Sequence, residues 1–186
     1  MKSFELKKST LGTSYTSMEK LVLKECAKKI QGFSSMNKAN DMCYFCSIIE
    51  PAEGNMDLLQ IALKTMQKDK KCKDWGVFLL SSNENTLIGA AHVPMSLSLQ
   101  KELDVKEWTR EILSYLPHKN YGINMADEIS SFEIIINPEE EIFPFKLCDE
   151  IYQKNIDFLK RKNIIPPCND ESENEGDYAD EAGIEW

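Results

Sequence analysis

A chain of 186 residues with a formal net charge of −9 has room for one well-buried domain with appendages, and not for two enzymatic domains of usual size. No apolar run reaches the ~20 residues that cross a bilayer, and the lysines of Met1–Gly12 lead into no apolar h-region, so neither a membrane span nor a secretory signal is read here. The expected location is the cytoplasm. A mitochondrial presequence is the alternative, against which stands the absence of arginine from Met1–Ser17.

The charge is unevenly placed. Asp170–Trp186 holds eight acids and no base, so residues 1–169 carry 22 bases against 23 acids. A near-neutral body does not announce nucleic-acid binding, yet leaves room for one basic face. Six cysteines without a secretory signal read as reduced thiols rather than a disulfide framework. Cys43 and Cys46 have CxxC spacing, but inside a strand they would face opposite sides of the sheet, so no metal is expected.

Taken in chain order, residues 1–15 are an irregular leader. Thr16-x-x-Glu19 is a capping box that opens an amphipathic helix over residues 16–33, with Met18, Val22, Cys26 and Ile30 on one stripe, Lys20, Lys24 and Lys28 on another, and Gly32 as the stop. Met42–Ile49 reads as a first strand. Pro51 and Gly54 mark a turn, and Asn55 caps a helix from Met56 to about Lys70, closed by Lys68, Lys70, Lys71 and Lys73, where cations suit the helix dipole.

The strongest pattern follows. Trp75–Ser81 and Thr86–Val93 are apolar runs separated by four polar residues, the grammar of a β-hairpin. Val77 and Leu79 alternate with Phe78 and Leu80, so both faces need cover, which implies helices above and below. A loop over Pro94–Leu103 leads to Asp104-x-x-Glu107, a second capping pattern, and a helix carrying Val105, Trp108, Ile112 and Leu116 inward. Pro117–Ser130 reads as a polar loop, Phe132–Ile136 as a strand, and Phe145–Arg161 as a final helix with Cys148, Ile151, Tyr152 and Leu159 inside and Asn155 as a polar interruption. The expected fold is α/β: a mixed β-sheet with a central hairpin flanked by helices, preceded by the amphipathic helix. Its globular part spans residues 41–165, and the acidic tail at 169–186 is too poor in apolar residues to order itself.

Chemistry is sparse. There is no phosphate loop, dinucleotide fingerprint, nucleophile elbow or zinc helix, and the eight glycines are scattered. Glu139, Glu140 and Glu141 cluster after a proline, as residues that cap a helix do. No cofactor and no catalytic activity are expected of this chain alone.

The ordered set Ala62-Leu63-Lys64, the hairpin Gly76–Val93, Val93-Pro94, Glu107-Trp108 and the helix Phe145–Arg161 resembles the C-terminal domain of alanyl-tRNA synthetases, over about Thr16–Lys162. The resemblance implies a non-catalytic module that holds the tRNA elbow, with alanine tRNA as partner and, were the chain a fragment, membership in an alanine-tRNA ligase. Where that family has a glycine-rich run with a lysine, this chain has Pro117-His118-Lys119-Asn120-Tyr121-Gly122. The resemblance therefore assigns nucleic-acid contact to Lys119, Asn120 and Gly122, joined on spacing by Lys154, Arg161 and Lys162. The alternative is a protein-interaction or dimerisation module that keeps the fold without tRNA binding. It would use the stripe Met18, Val22, Cys26 and Ile30 against a synthetase partner or a second copy.

Overall fold

The computed structural model describes residues 16–37, 43–116, 121–137 and 143–165. At its centre the apolar runs pair as expected: β2 (Gly76–Ser82) and β3 (Thr86–His92) form an antiparallel hairpin with Leu80 opposite Gly89. Asn83 shapes the tip, its Oδ1 accepting hydrogen bonds from the backbone N–H groups of Asn85 (2.9 Å) and Thr86 (2.8 Å). β1 (Tyr44–Ile48) adds in parallel to β2, and β5 (Ile129–Ile135) and β4 (Tyr121–Met125) extend the other side, giving a five-stranded sheet in the order β1-β2-β3-β5-β4.

Alternation on β2 divides the core as its sequence requires. Val77 and Leu79 pack with Ile88 and Ala90 of β3 under α1 (Ser17–Asn37) and α2 (Met56–Lys68). Phe78 and Leu80 face the other way, into the layer of α4 (Val105–Ser114) and α5 (Pro144–Arg161). In that layer Trp108 is fully buried, its ring 5.2 Å from Phe78 and stacked 6.3 Å from Phe158. The result is an α/β fold with helices on both faces of a mixed sheet. The two N-caps are as read: Asn55 Oδ1 accepts from the N–H groups of Asp57 and Leu58, and Asp104 accepts from Lys106. The Thr16–Glu19 capping box closes reciprocally, with Thr16 N–H donating to Glu19 Oε2 at 2.5 Å and Glu19 N–H to Thr16 Oγ1 at 3.2 Å.

Several expectations are corrected. Gly32 does not stop α1, which continues to Asn37; a glycine in open space weakens a helix without ending it. The stretch read as a loop over Pro94–Leu103 contains α3 (Met95–Lys101), held by Leu97, which is buried against the α4 layer, and ended by Glu102 in the left-handed region. The stretch Pro117–Ser130 contains β4 and the start of β5, joined at Ala126, whose N–H donates to the Ile129 carbonyl at 2.7 Å. Its alternation is hidden because a small serine occupies a buried place: Ser130, Phe132 and Ile134 point inward while Ile129, Glu133 and Ile135 point out. Finally, the stripe of Val22, Cys26 and Ile30 is already covered by α2 of the same chain, through Leu59, Leu63 and Met66.

Cys43, just ahead of β1, packs against the same cluster as Cys46, so the opposite-face argument does not describe it. The expectations for the leader, for Lys119 and Asn120, for Glu139–Glu141 and for the acidic tail lie outside the described residues.

Candidate nucleic-acid interface

The described cations differ in how far they are paired. Arg161 and Lys162, between α4 and α5, are occupied, whereas Arg110, Lys146 and Lys160 on the same helices are exposed and make no ion pair among the described residues. Arg161 Nη2 donates to Glu111 Oε1 at 2.6 Å and to the Tyr115 hydroxyl at 3.1 Å, while that hydroxyl donates to Glu111 at 2.8 Å. Hydrogen bonds from Arg161 first, and Tyr115 second, hold the Glu111 carboxyl below the usual carboxylate range, and Glu111 in turn raises Arg161. Lys162 Nζ reaches Glu107 at 2.6 Å, Lys106 reaches Asp127 at 3.0 Å, and Lys154 Nζ sits 4.9 Å from the centre of the Tyr115 ring. Lys154, Arg161 and Lys162 therefore form one group at the α4–α5 seam, where carboxylates match Arg161 and Lys162 and Lys154 meets only the Tyr115 ring.

The α1–α2 layer is different. Lys28 and Lys29 share a single carboxylate, Glu25, at 3.9 and 3.4 Å, and Lys73 pairs loosely with its neighbour Asp74 at 3.6 Å. Lys20, Lys24, Lys64, Lys68, Lys70 and Lys71 are exposed and make no ion pair among the described residues. Position explains the exposure. Lys20, Lys24 and Lys28 recur every fourth residue on the side of α1 turned from the core, as do Lys64 and Lys68 on α2.

The turn after α2 is fixed by one buried side chain. Cys72 Sγ donates to the Met66 carbonyl at 3.1 Å, Lys73 N–H bonds to the Asp69 carbonyl at 2.9 Å, and Lys71 N–H bonds to Asp69 Oδ1 at 2.8 Å. With Cys72 pinned inward, Lys70, Lys71 and Lys73 are left pointing to solvent. Trp75, half-buried, closes the turn edge-on to Phe33 of α1 with ring centres 5.4 Å apart. Burial pushes the Cys72 thiol up to about 11, helped by Asp69 and Cys26 and opposed by Lys71, and burial pushes Cys26 to about 11 against Lys29. Cys26 and Cys72 share one buried cluster and Phe33 meets Trp75, which sets the second half of α1 beside the lysine turn.

This layer covers β1, β2 and β3 but not the last two strands. By register, Gly122 and Asn124 of β4 and Ser131 and Glu133 of β5 share the α1–α2 side of the sheet with Ile88 and Ala90. A groove of about 160 Å³ runs there, with Gln60, Lys64 and Gln67 of α2 on one wall and Asn124 and Ser131 on the other. Gly122 lies on the open sheet face, and nothing within 4 Å would meet a side chain added to it. The assigned residues are accordingly split: Gly122 stands on the lysine side, Lys154, Arg161 and Lys162 stand at the α4–α5 seam.

Reasoning from sequence attributed the lysines at the end of α2 to the helix dipole. Their signal was excess: Lys68–Asp74 has four lysines against two aspartates, more than a helix end needs. Catalytic groups are not brought together among the described residues. The thiol of Cys46 is driven well above its ordinary value by complete burial, and burial raises Cys148 to about 11, which removes the thiolate that nucleophilic chemistry requires. No three His, Cys, Asp or Glu side chains among the described residues could hold a metal ion. No helix among them is long and apolar enough to cross a membrane.

No protein-family model matches the sequence, and no curated protein does. Among solved structures the chain is similar to the crystal structure of the C-Ala domain from Aquifex aeolicus alanyl-tRNA synthetase. The two share 21% identity over 61% of this chain and 93% of that one, with a TM-score of 0.38. At that identity the likeness is one of fold.

Proposed function

We propose that this chain is a non-catalytic RNA-binding module whose ligand is a folded tRNA, held through the α1–α2 side. The observation that carries the reading is the run of exposed lysines without carboxylate partners on that side, densest at the turn after α2, whereas Arg161 and Lys162 at the α4–α5 seam are held by Glu111 and Glu107. Lysines without partners in the protein are free to neutralise phosphates, and the release of the counterions condensed on the polyphosphate drives binding. Beside them, Gln60, Gln67, Asn124 and Ser131 supply donors and acceptors for sugar and base edges. Gly122 allows a phosphate to approach the β4 backbone, and the sequence resemblance assigns Lys119 and Asn120 to the same ligand. The tRNA elbow is the ligand that the sequence resemblance implies, and the similar C-Ala domain belongs to an alanyl-tRNA synthetase.

The test is tRNA anisotropy across a salt series. Replacing Lys68, Lys70, Lys71 and Lys73 by Gln is expected to weaken binding more than tenfold at low salt and to flatten the salt slope by about 3. Arg161→Gln with Lys162→Gln should cost much less, since each charge already has a partner. Absence of tRNA binding by the intact chain at low salt rules the reading out.

A second reading, self-association, is favoured by β4. This edge strand, Tyr-Gly-Ile-Asn-Met, carries no charge, and Tyr121 and Ile123 are exposed on it. Edge strands are usually guarded by charge or proline. Light scattering on wild type and Ile123→Lys decides it: a dimer that the lysine dissolves supports the reading, and a monomeric wild type removes it.

A further inference from the structure

We propose that the cleft between the hairpin tip and the first turns of α5 is a docking site for a lysine- or arginine-bearing peptide segment of a partner protein. The cleft measures about 920 Å³, near the upper end of the 300–1,000 Å³ typical of ligand pockets. Four carboxylates line it: Glu50 and Glu53 from the 3-10 turn after β1, Glu84 from the hairpin tip, and Asp149 from α5. None of the four has a basic partner among the described residues.

Charge alone does not make a site, but the floor supplies an independent sign. Ser82 lies on the α5 side of β2, opposite Leu87, and lines this cleft at 7% exposure, its hydroxyl without a hydrogen-bond partner of ordinary geometry. The Cys148 thiol beside it is a weak acceptor, near enough for Ser82 to temper the rise in that thiol's pKa. A hydroxyl buried in this way, with only a thiol beside it, leaves its stronger bond unmade.

The walls are held in place before any ligand comes. Asn83 Nδ2 donates to the Glu53 carbonyl at 3.1 Å, and Gly54 N–H donates to Ser81 Oγ at 3.1 Å, tying the hairpin tip to the 3-10 turn. Gly54 takes a left-handed φ of +70°, and a Cβ there would meet Asn83 Nδ2 at 2.8 Å, so this tie depends on glycine.

The chemistry of the lining selects the ligand. Because no three carboxylates converge on one point, the arrangement suits charges strung along a chain rather than a metal ion. Ile48 and Phe145, the latter 64% exposed, give the same cleft an apolar wall. Alkyl stems of lysine or arginine can lie along that wall while their heads meet the carboxylates, and a guanidinium can stack on the phenylalanine. A phosphate-rich ligand is repelled, so the proposal stands apart from the RNA reading and does not rest on it.

The experiment uses the full chain at low salt and the anisotropy of a labelled hexapeptide of alternating lysine and leucine, with a glutamate–leucine peptide as counterpart. Binding of the basic peptide alone is expected. It should weaken about tenfold in Glu53→Gln/Glu84→Gln/Asp149→Asn, the combined effect of three exposed charge contacts, and about threefold in Phe145→Ala. Thermal melts confirm that each variant is folded, and the lysine-to-glutamine variant of the α2 turn should bind the peptide at least as tightly as wild type does, whether or not it still binds tRNA. No binding of the basic peptide, or equal binding by wild type and the triple variant, overturns the proposal. Competition by spermine as effective as by unlabelled peptide overturns the peptide assignment in favour of a small polyamine.

Discussion

Gly89 sits at the middle of β3 with the Phe132 ring of β5 laid across it. A Cβ built on Gly89 would stand 2.2 Å from that ring, on the residue with which Gly89 is paired across the ladder. Phe132 is fully enclosed beside Phe78, so its ring has nowhere to go. Gly89→Ala is therefore expected to destabilise the fold by about 2 kcal/mol or more by overpacking, read as a lower urea midpoint at unchanged slope; an unchanged midpoint would refute the contact. A second residue couples the fold to acid. His92 is nearly buried at the end of β3, 4.0 Å from Glu128. Burial lowers its pKa from 6.5, and Glu128 only partly opposes this. A group held below its unfolded value binds a proton more readily when unfolded, so its contribution is intact above about pH 6.5 and is lost as pH falls through that value toward the folded one. Melts between pH 7.5 and 5.5 should show wild type losing more stability than His92→Leu. Parallel losses would exclude His92 as the source.

Asn55 shows why helix ends were legible. Its side chain meets two N–H groups of α2, and Asn55→Ala is expected to cost about 1 kcal/mol; a thermal shift within error would mean the cap is dispensable. Caps are local: the residue that satisfies the helix end is adjacent in sequence to the groups it satisfies. The hairpin was legible for the same reason, since Ser82–Asn85 and its flanking runs contain all the information the turn needs. β4 and α3 were not. β4 has partners on one side only, so it need not be apolar, and its ladder is with residues of β5 whose own alternation is disguised by Ser130, which spends its hydroxyl on Thr109 of α4. α3 depends on a single buried leucine. The candidate interface was hidden more deeply. A lysine's freedom depends on whether a carboxylate from another helix reaches it, as Glu111 reaches Arg161 from 50 positions away, and no spacing rule reports that.

Across the molecule, the two densest charge clusters lie apart. The unpaired lysines of the α1–α2 side gather at the turn that enters β2, whereas the carboxylate-lined cleft opens where β2 ends. β2 is seven buried residues long, which sets the turn and the cleft roughly 20 Å apart on a strand that cannot bend between them. That spacing gives the two clusters an axis along β2, which would orient a polyanion approaching the lysine end before contact. It also fixes how two ligands would influence each other. Peptide at one end and tRNA at the other would be linked only through the intervening field, with reciprocal effects on the two affinities. At about 0.15 M salt the Debye length is ~8 Å, shorter than the strand, and at 0.01 M it is ~30 Å, longer than the strand. Saturating the cleft with the basic peptide should therefore leave tRNA affinity unchanged at the higher ionic strength and raise it at the lower. A strand whose sequence is entirely scaffold would in this way act as an insulator, keeping two oppositely charged surfaces independent under the conditions of a cell.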